Sequence, residues 1–275
     1  MPIQTLDFIV AGFMKCGTTS LHSYLHQHPK LDLPEMKETH FFIQQINLNR
    51  GYDWYKSLFS EDDMQLHGEV CPGYAKRHCF PGVAQRIYEA APNIPVFFLV
   101  RDPIDRAVSH YKHQLAAGHE AASIDTALAP SDDNHYLMCS RYAYQLAPYL
   151  ELFGADNVHI YDSHSLRHSR DTVLRSIFDV LGVNTIPVHT PKNEHRSADK
   201  RRPAWLDRRL PGSSLPVRAT RFLARKFLPD SLTIGKSVRH VSLSDPIREK
   251  IADFLCDDAS SLRKLTGLSL PHWSV

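Results

Sequence analysis

The run Val96-Phe97-Phe98-Leu99-Val100 is the feature that most restricts the fold of this chain. Five consecutive apolar residues rich in β-branched and aromatic types predict a strand that is buried on both faces, and such strands are typical of parallel sheets. Another apolar run, Leu6 to Gly12, predicts a buried strand near the start of the sequence. Shorter strands are expected over 66–70 and 158–161, and 38–43 has an extended pattern.

Helical patterns alternate with these strands. Helices are expected over 18–26, 52–59, 80–91, 102–117, 141–153 and 170–181. This alternation predicts an α/β fold of three layers, in which helices flank a central parallel sheet. After Pro187 several prolines break the pattern into short pieces, and amphipathic helix returns over 245–265. We therefore expect one domain over 1–275, with an α/β core over 1–185 and a mainly helical C-terminal region over 186–275.

Composition excludes a disordered or coiled-coil chain, because 43% of the 275 residues are hydrophobic. The net charge of +2 gives no indication of a nucleic-acid partner, but positive charge is concentrated between Lys192 and Arg239, which fits an anionic ligand, a peripheral membrane contact or simply a solvated helical face. The five cysteines form no CxxC pair, which favours a reducing compartment. With no apolar run of membrane-spanning length and no signal peptide, a cytoplasmic location is expected.

The loop between the first strand and the first helix has the residues of an anion site. It reads Lys15-Cys16-Gly17-Thr18-Thr19-Ser20, and it leads into a helix whose N-terminal N–H groups and dipole attract negative charge. Gly17 allows close approach of the backbone to a phosphate, and Lys15 adds a full charge. The order differs from a Walker A loop, which needs Gly-Lys-Ser/Thr. An ordinary turn with a surface lysine is the alternative.

A second polar segment, Arg101-Asp102-Pro103-Ile104-Asp105-Arg106-Ala107-Val108-Ser109, follows the strongest strand. Ligands of open parallel sheets bind at the carboxyl ends of strands, where Arg101 is expected. On a helix, Arg106 and Ser109 share a face and suit a phosphate dianion. The alternative is that Arg101 caps the sheet and Arg106 is exposed.

Together these two segments resemble sulfotransferases that use 3′-phosphoadenosine 5′-phosphosulfate (PAPS). The first is similar to the 5′-phosphosulfate loop of that family, and Arg101 to Ser109 is similar to its 3′-phosphate motif. The sequence Lys37-Glu38-Thr39-His40-Phe41-Phe42 resembles a signature of the heparan-type branch. The resemblance covers about two thirds of the chain. It implies a P-loop-like fold, PAPS as co-substrate, and a carbohydrate, glycolipid or other small-molecule acceptor.

The resemblance also implies roles for individual residues. Glu38 is the expected general base, with His40 as its partner, and in an extended segment both side chains point the same way. Lys15 neutralises the leaving phosphate, while residues 15–20 bind the 5′ end of the nucleotide and Arg101 and Ser109 bind the 3′-phosphate. A late basic loop that includes Arg201 and Arg202 is expected to close over that phosphate.

Val70 departs from the heparan-type pattern, which often has lysine there, so a polyanionic acceptor is in doubt. His67, Cys71, His78 and Cys79 match no zinc spacing, and neither a catalytic nor a structural metal is expected. Two other functions remain open at this level: a P-loop-type kinase and a non-catalytic nucleotide-binding module. The sequence gives no indication of the oligomeric state.

Overall fold

The computed structural model describes residues 6–62, 64–189 and 240–275. Its strands are β1 (Phe8–Gly12), β2 (Leu31–Asp32), β3 (Leu66–Val70), β4 (Val96–Val100) and β5 (Val158–Asp162). Its helices are α1 (Thr18–Leu25), α2 (Gly51–Lys56), α3 (Val83–Ala90), α4 (Pro103–Ala117), α5 (Ile124–Ala127), α6 (His135–Met138), α7 (Tyr142–Phe153), α8 (Ser163–His168), α9 (Arg170–Val180) and α10 (Asp245–Thr266). Short 3₁₀ turns occupy Leu48–Arg50 and Pro72–Ala75.

The five strands form one parallel sheet in the order β2-β3-β1-β4-β5. Every residue of β1 and β4 is buried, as the continuous apolar runs predict. Close packing explains Gly68 in β3, because a Cβ there would lie 2.0 Å from the ring of Phe8. The parallel α/β sheet flanked by helices is confirmed, and the order of strands puts β1 at its centre.

The prediction of extended backbone over 38–43 is wrong. Glu38 and His40 have φ angles of 66° and 53°, in the left-handed region, and the chain turns rather than extends. The reason lies elsewhere in the sequence: the buried carboxylate of Glu69 accepts hydrogen bonds from both the N–H and the hydroxyl of Thr39. This fixes Thr39 inward, and the residues on either side of it adopt the unusual conformation.

The C-terminal segment packs on the α/β core. Both carboxylate oxygens of Asp258, on α10, accept N–H groups from the first turn of α7, at Ala143 and Tyr144. Helix α10, Asp245–Thr266, confirms the helix predicted over 245–265. Lys192 to Arg239, which includes Arg201 and Arg202, lies outside the described residues, and the division into one domain with a closing C-terminal region stays a prediction.

Candidate active site

All strands are parallel, so their carboxyl ends share one edge of the sheet, and a cleft of about 690 Å³ opens there. The loop after β1 and the residue after β4 meet in this cleft, as the sequence predicts. Its lining consists of Lys15, Cys16, Gly17, Ser20, Tyr24, Arg101, Ser163, Leu166, Arg167, His168, Ser169, Arg170, Asp171 and Thr172. Cationic and hydroxyl side chains predominate, which suits an anionic ligand.

The loop after β1 is built to expose backbone donors. Gly17 caps α1 with a φ of 99°, a conformation that glycine adopts without strain, and no side chain caps the helix. The first four N–H groups of an α-helix have no partner within it, so they are available to a bound anion. Phe13 anchors the start of the loop by donating its N–H to the carbonyl of Leu99 on β4.

The six predicted loop residues contribute in different ways. Lys15 and Ser20 line the cleft with Gly17, whereas Thr18 is buried and Thr19 is exposed. Burial raises the pKa of the Cys16 thiol to about 11, so the Cys16 side chain stays neutral. The hydroxyls of Thr18 and Thr19 are not among the cleft-lining groups.

Tyr142 connects the two predicted phosphate-binding segments. Its buried hydroxyl donates to the carbonyl of Arg101 at 2.8 Å and lies 3.5 Å from the Cys16 sulfur. The loop after β1 and the end of β4 are thus held together by one side chain at the start of α7. The sequence placed Tyr142 only within the helix predicted over 141–153.

Arg101 and Arg106 differ in their environment: Arg101 lines the cleft and Arg106 lies in the core. The Arg101 guanidinium lines the cleft and lies 3.4 Å from the Asp105 carboxylate. Arg106 is fully buried and donates to the Ser140 hydroxyl and to the carbonyl of Tyr136. Both predictions for Arg106, that it binds a phosphate and that it is exposed, are therefore wrong. Ser109 is half-buried on α4 and does not line the cleft, and its predicted contact with a 3′-phosphate stays a prediction.

The Glu38 carboxylate lies beside the same edge of the sheet. One of its oxygens is paired with the Lys37 ammonium, and the other lies 3.9 Å from Nε2 of His40. Nδ1 of His40 lies 3.2 Å from the sulfur of Cys71, the residue that follows β3. Burial lowers the pKa of His40, which favours a neutral imidazole. The structure therefore brings Glu38 and His40 together, although through a turn and not through a strand.

Helix α1 links this group to the loop after β1. Burial is the main reason why the pKa of His22, on α1, falls to about 4, and the charges of Lys37 and Glu38 act on it as well. Lys37 and Glu38 are thus within electrostatic reach of the helix that the loop residues begin. One edge of the sheet thus carries a carboxylate with a neighbouring imidazole and a cleft lined with positive charge.

Sequence reasoning missed the carboxylate that shapes this group. Glu69 is fully buried at the end of β3, and it accepts hydrogen bonds from Thr39, from Tyr55 and from Tyr74. Burial raises its pKa, and these hydrogen bonds oppose that rise. An acidic residue inside an otherwise apolar strand was the available signal, because a buried carboxylate has to be paired.

Replacement of Tyr55 by Phe is expected to lower the free energy of unfolding by about 1–3 kcal/mol, because it removes a 2.8 Å hydrogen bond to buried Glu69. Urea denaturation measures this change. Tyr52→Phe on the same helix, at a 41% exposed position, is the matched control and is expected to shift stability by no more than about 0.5 kcal/mol. Equal midpoints for the two variants would contradict a stabilising role for the carboxylate network.

The junction of α8 and α9 was also missed as part of the cleft. It contributes Arg167 and Arg170, and the guanidinium of Arg170 lies 5.6 Å from the ring centre of Tyr24. The signal was present in the sequence, since basic and hydroxyl residues follow directly after the strand predicted over 158–161. The rule that located Arg101 at a strand's carboxyl end applies equally here.

Comparison with known proteins identifies the family. A family model described as a sulfotransferase domain matches residues 5–206. The chain belongs to the sulfotransferase family. Members of this family are transferases, so this sulfotransferase is a transferase as well. Its structure has the P-loop-like α/β fold that the sequence resemblance implies. The matching family model does not favour a kinase. The Asp102 carboxylate, the acidic group at the end of β4, accepts hydrogen bonds from the N–H of Asp105 and the hydroxyl of Ser274.

Two curated proteins and one solved structure illustrate the similarity. The membrane-associated sulfotransferase kil1 of Dictyostelium discoideum is 34% identical over 113 residues, which are 40% of this chain and 23% of that protein. The bifunctional heparan sulfate N-deacetylase/N-sulfotransferase 1 of Homo sapiens is 28% identical over 205 residues, which are 66% of this chain and 22% of that protein. The crystal structure of a sulfotransferase from Alicyclobacillus acidocaldarius has a TM-score of 0.72 at 25% identity, covering 98% of this chain and 99% of that one.

This sulfotransferase spans less than a quarter of the length of those two curated relatives. Within the described residues, no helix is both long and apolar enough to cross a lipid bilayer.

Proposed function

We propose that the chain transfers a sulfuryl group from PAPS to an acceptor hydroxyl. The observation that carries the proposal is the shared cleft of Lys15, Gly17 and Arg101, because it places two cationic groups and a helix N-terminus around one cavity. PAPS carries its anionic groups at two ends, the 5′-phosphosulfate and the 3′-phosphate. The residues of the cleft fit such a ligand, since each end would meet its own positively charged group.

The loop after β1 would hold the 5′ end of the donor. The N–H groups of Gly17, Thr18 and Thr19 would bind the 5′-phosphate, with Cys16 contributing its backbone and Ser20 its hydroxyl. The Lys15 ammonium would lie against the oxygen that joins sulfur to phosphorus. Arg101 and Ser109 would bind the 3′-phosphate, and the basic loop with Arg201 and Arg202 would close over it.

The transfer itself is an in-line displacement at sulfur. The acceptor oxygen forms a bond to sulfur while the bond from sulfur to the bridging oxygen breaks, and 3′,5′-adenosine bisphosphate leaves. Glu38 would accept the hydroxyl proton, with His40 as its partner or as a contact of the acceptor. Lys15 would stabilise the negative charge that develops on the leaving phosphate. Each step is assigned to a group of the protein, and none is assigned to a metal.

The acceptor that we propose is a carbohydrate, a glycolipid or a small-molecule alcohol. At the end of β3, Val70 is 2% exposed and replaces the lysine of the heparan-type pattern. No cation from this position would meet an anionic acceptor, which supports a less charged substrate. All five cysteines are free thiols, and this supports the proposed cytoplasmic location.

Ligand binding followed by a transfer assay tests the function. The purified chain is titrated with 3′,5′-adenosine bisphosphate and, separately, with ATP and Mg²⁺, and sulfate transfer from labelled PAPS to a panel of alcohols and amines is then measured. We expect preference for the bisphosphate, because Arg101 would have no 3′-phosphate to bind in ATP. Preference for ATP would indicate a kinase, and tight bisphosphate binding without transfer to any acceptor would indicate a non-catalytic module.

A further inference from the structure

A cluster of histidine and cysteine side chains lies outside the cleft, where the loop before α3 meets α6. Its members are His78, Cys79, His110, His135 and Cys139. The sequence grouped His78 and Cys79 with His67 and Cys71, but the structure separates those two pairs. His67 lies beside Asp32 at 3.7 Å, and Cys71 lies beside His40. The partners of His78 and Cys79 come instead from α6, more than fifty residues along the chain.

The donor atoms of this cluster have the separations of a metal site. Nε2 of His78 lies 3.0 Å from Nδ1 of His135, and the Cys79 sulfur lies 3.5 Å from the same nitrogen. The Cys139 sulfur lies 3.9 Å from Nε2 of His78. Zn²⁺ binds nitrogen at about 2.0–2.1 Å and thiolate at about 2.3 Å, so tetrahedral ligand atoms are separated by roughly 3.3–3.8 Å. The Cys79–His135 distance lies within this range, and the 3.0 Å between His78 and His135 is a hydrogen-bond distance, so these two rings have to separate slightly around an ion. The Cys139 sulfur also lies 3.9 Å from Nε2 of His135, the nitrogen opposite the one that faces His78 and Cys79, so its side chain has to turn to become a fourth ligand.

Sequence spacing on α6 supports the same conclusion. His135 and Cys139 are four residues apart, so one helical turn presents both side chains on the same side. His78 and Cys79 are adjacent in the facing loop. Two ligands from a loop and two from a helical turn are a frequent arrangement in structural zinc sites.

A buried imidazole without a complete set of partners lies next to this group. Nε2 of His110 is buried with no hydrogen-bond partner among the described residues, and His110 is fully buried. Ligand atoms of His110, His135 and Cys139 lie within 4.8 Å of one another. The proposed ligand set does not include His110, so this nitrogen shows only that the surroundings of the cluster are polar.

Metal coordination requires neutral imidazoles and deprotonated thiols. The thiols must release their protons to solvent when a metal binds, and two thiolates then neutralise the charge of a divalent ion.

One contact opposes coordination by His78. The Gln145 amide nitrogen lies 3.0 Å from Nδ1 of His78, and its orientation is fixed because the amide oxygen accepts the N–H of Arg77. A neutral His78 that binds metal through Nε2 carries its proton on Nδ1, facing another donor. Loss of one hydrogen bond is a small cost beside the free energy that structural zinc coordination contributes to folding. The contact reduces affinity without abolishing the site.

We propose that His78, Cys79 and His135 bind one Zn²⁺ ion in a structural site, with the neighbouring Cys139 thiol turning in as the fourth ligand. The ion joins the loop that follows the Pro72–Ala75 turn to α6 and to Cys139, the residue that follows α6. The loop that carries His78 and Cys79 follows Cys71, which contacts His40. The chain after Cys139 continues to Tyr142, which contacts the loop after β1. Zinc therefore cross-links two segments that carry groups of the candidate active site, without entering the cleft.

Elemental analysis of the untagged 275-residue chain tests the site, with the protein kept reduced and passed through gel filtration after exposure to Zn²⁺. We expect about one zinc per chain in the wild type and in Cys256→Ser, whose cysteine is exposed and far from the cluster in sequence. Cys79→Ser and Cys139→Ser are expected to lose at least ~90% of this zinc. The measurement requires no sulfuryl transfer, so it is independent of the proposed function.

A spectroscopic measurement on the wild type covers the case in which the variants do not fold. Addition of Co²⁺ to the zinc-free chain is expected to give the visible absorption of tetrahedral Co²⁺ with thiolate charge-transfer bands, and Zn²⁺ should displace it. Absence of both zinc retention and these bands in the reduced wild type would overturn the proposal. Equal zinc content in the wild type and in well-folded Cys79→Ser and Cys139→Ser chains would overturn it as well.

Discussion

Lys15→Ala is expected to lower kcat by about 10²- to 10³-fold while it weakens binding of 3′,5′-adenosine bisphosphate by less than about tenfold. The Lys15 ammonium would act mainly on charge that appears on the leaving phosphate during transfer, and an interaction stronger in the transition state than in the ground state affects turnover most. Backbone N–H groups of the loop after β1 remain in the variant, so the nucleotide should still bind. Turnover and calorimetric nucleotide binding measured on the same preparations give the two numbers.

Lys30→Ala is the control for this experiment, because Lys30 is an exposed lysine before β2 and does not line the cleft. It should leave both turnover and nucleotide affinity unchanged. If Lys15→Ala lowered turnover and affinity by the same factor, Lys15 would be a binding residue with no special part in the displacement.

The second large effect is expected from Glu38→Gln, which should reduce kcat by about 10²- to 10⁴-fold because glutamine cannot accept the acceptor's proton. Nucleotide affinity should change little, since Glu38 lies beside His40 and Lys37 and is not among the residues lining the cleft. Steady-state turnover with saturating PAPS and a competent acceptor provides the measurement. Glu35→Gln, at an exposed position three residues earlier, is the matched control.

His40 gives this prediction a clear alternative. Its imidazole lies 3.9 Å from Glu38 and, with a pKa lowered by burial, is itself able to accept a proton. Turnover near the wild-type level in Glu38→Gln, together with a large loss in His40→Gln, would transfer the role of base to His40. Loss in Glu38→Gln alone would leave His40 as a partner or as a contact of the acceptor.

Sequence reasoning succeeded where structure is decided locally. The runs that became β1 and β4 are apolar throughout, and burial on both faces leaves such segments few alternatives. Helix α4 ends at Gly118, which has the left-handed conformation expected of a helix-terminating glycine. The strand ends then located Lys15 and Arg101 at one edge, because that edge follows from parallel strands alone.

Sequence reasoning failed where a residue distant along the chain determines the conformation. Thr39 lies inward because Glu69, thirty residues later, binds it, and nothing near Glu38 in the sequence indicates this. Arg106 is buried because Ser140 and the carbonyl of Tyr136 satisfy its guanidinium. The partners of His78 and Cys79 were missed for the same reason, since short-range spacing reports only on ligands that are close along the chain.

The hydroxyl of Tyr142, between the Arg101 carbonyl and the Cys16 sulfur, has a consequence for selectivity. Neither backbone segment can shift outward without breaking a contact inside the core, so the separation of these two segments is set before any nucleotide arrives. The charges of dinucleotides and nucleoside triphosphates are spaced differently from those of an adenosine bisphosphate. The two segments could not move to accommodate that spacing. Discrimination by length would then require no contact with the base.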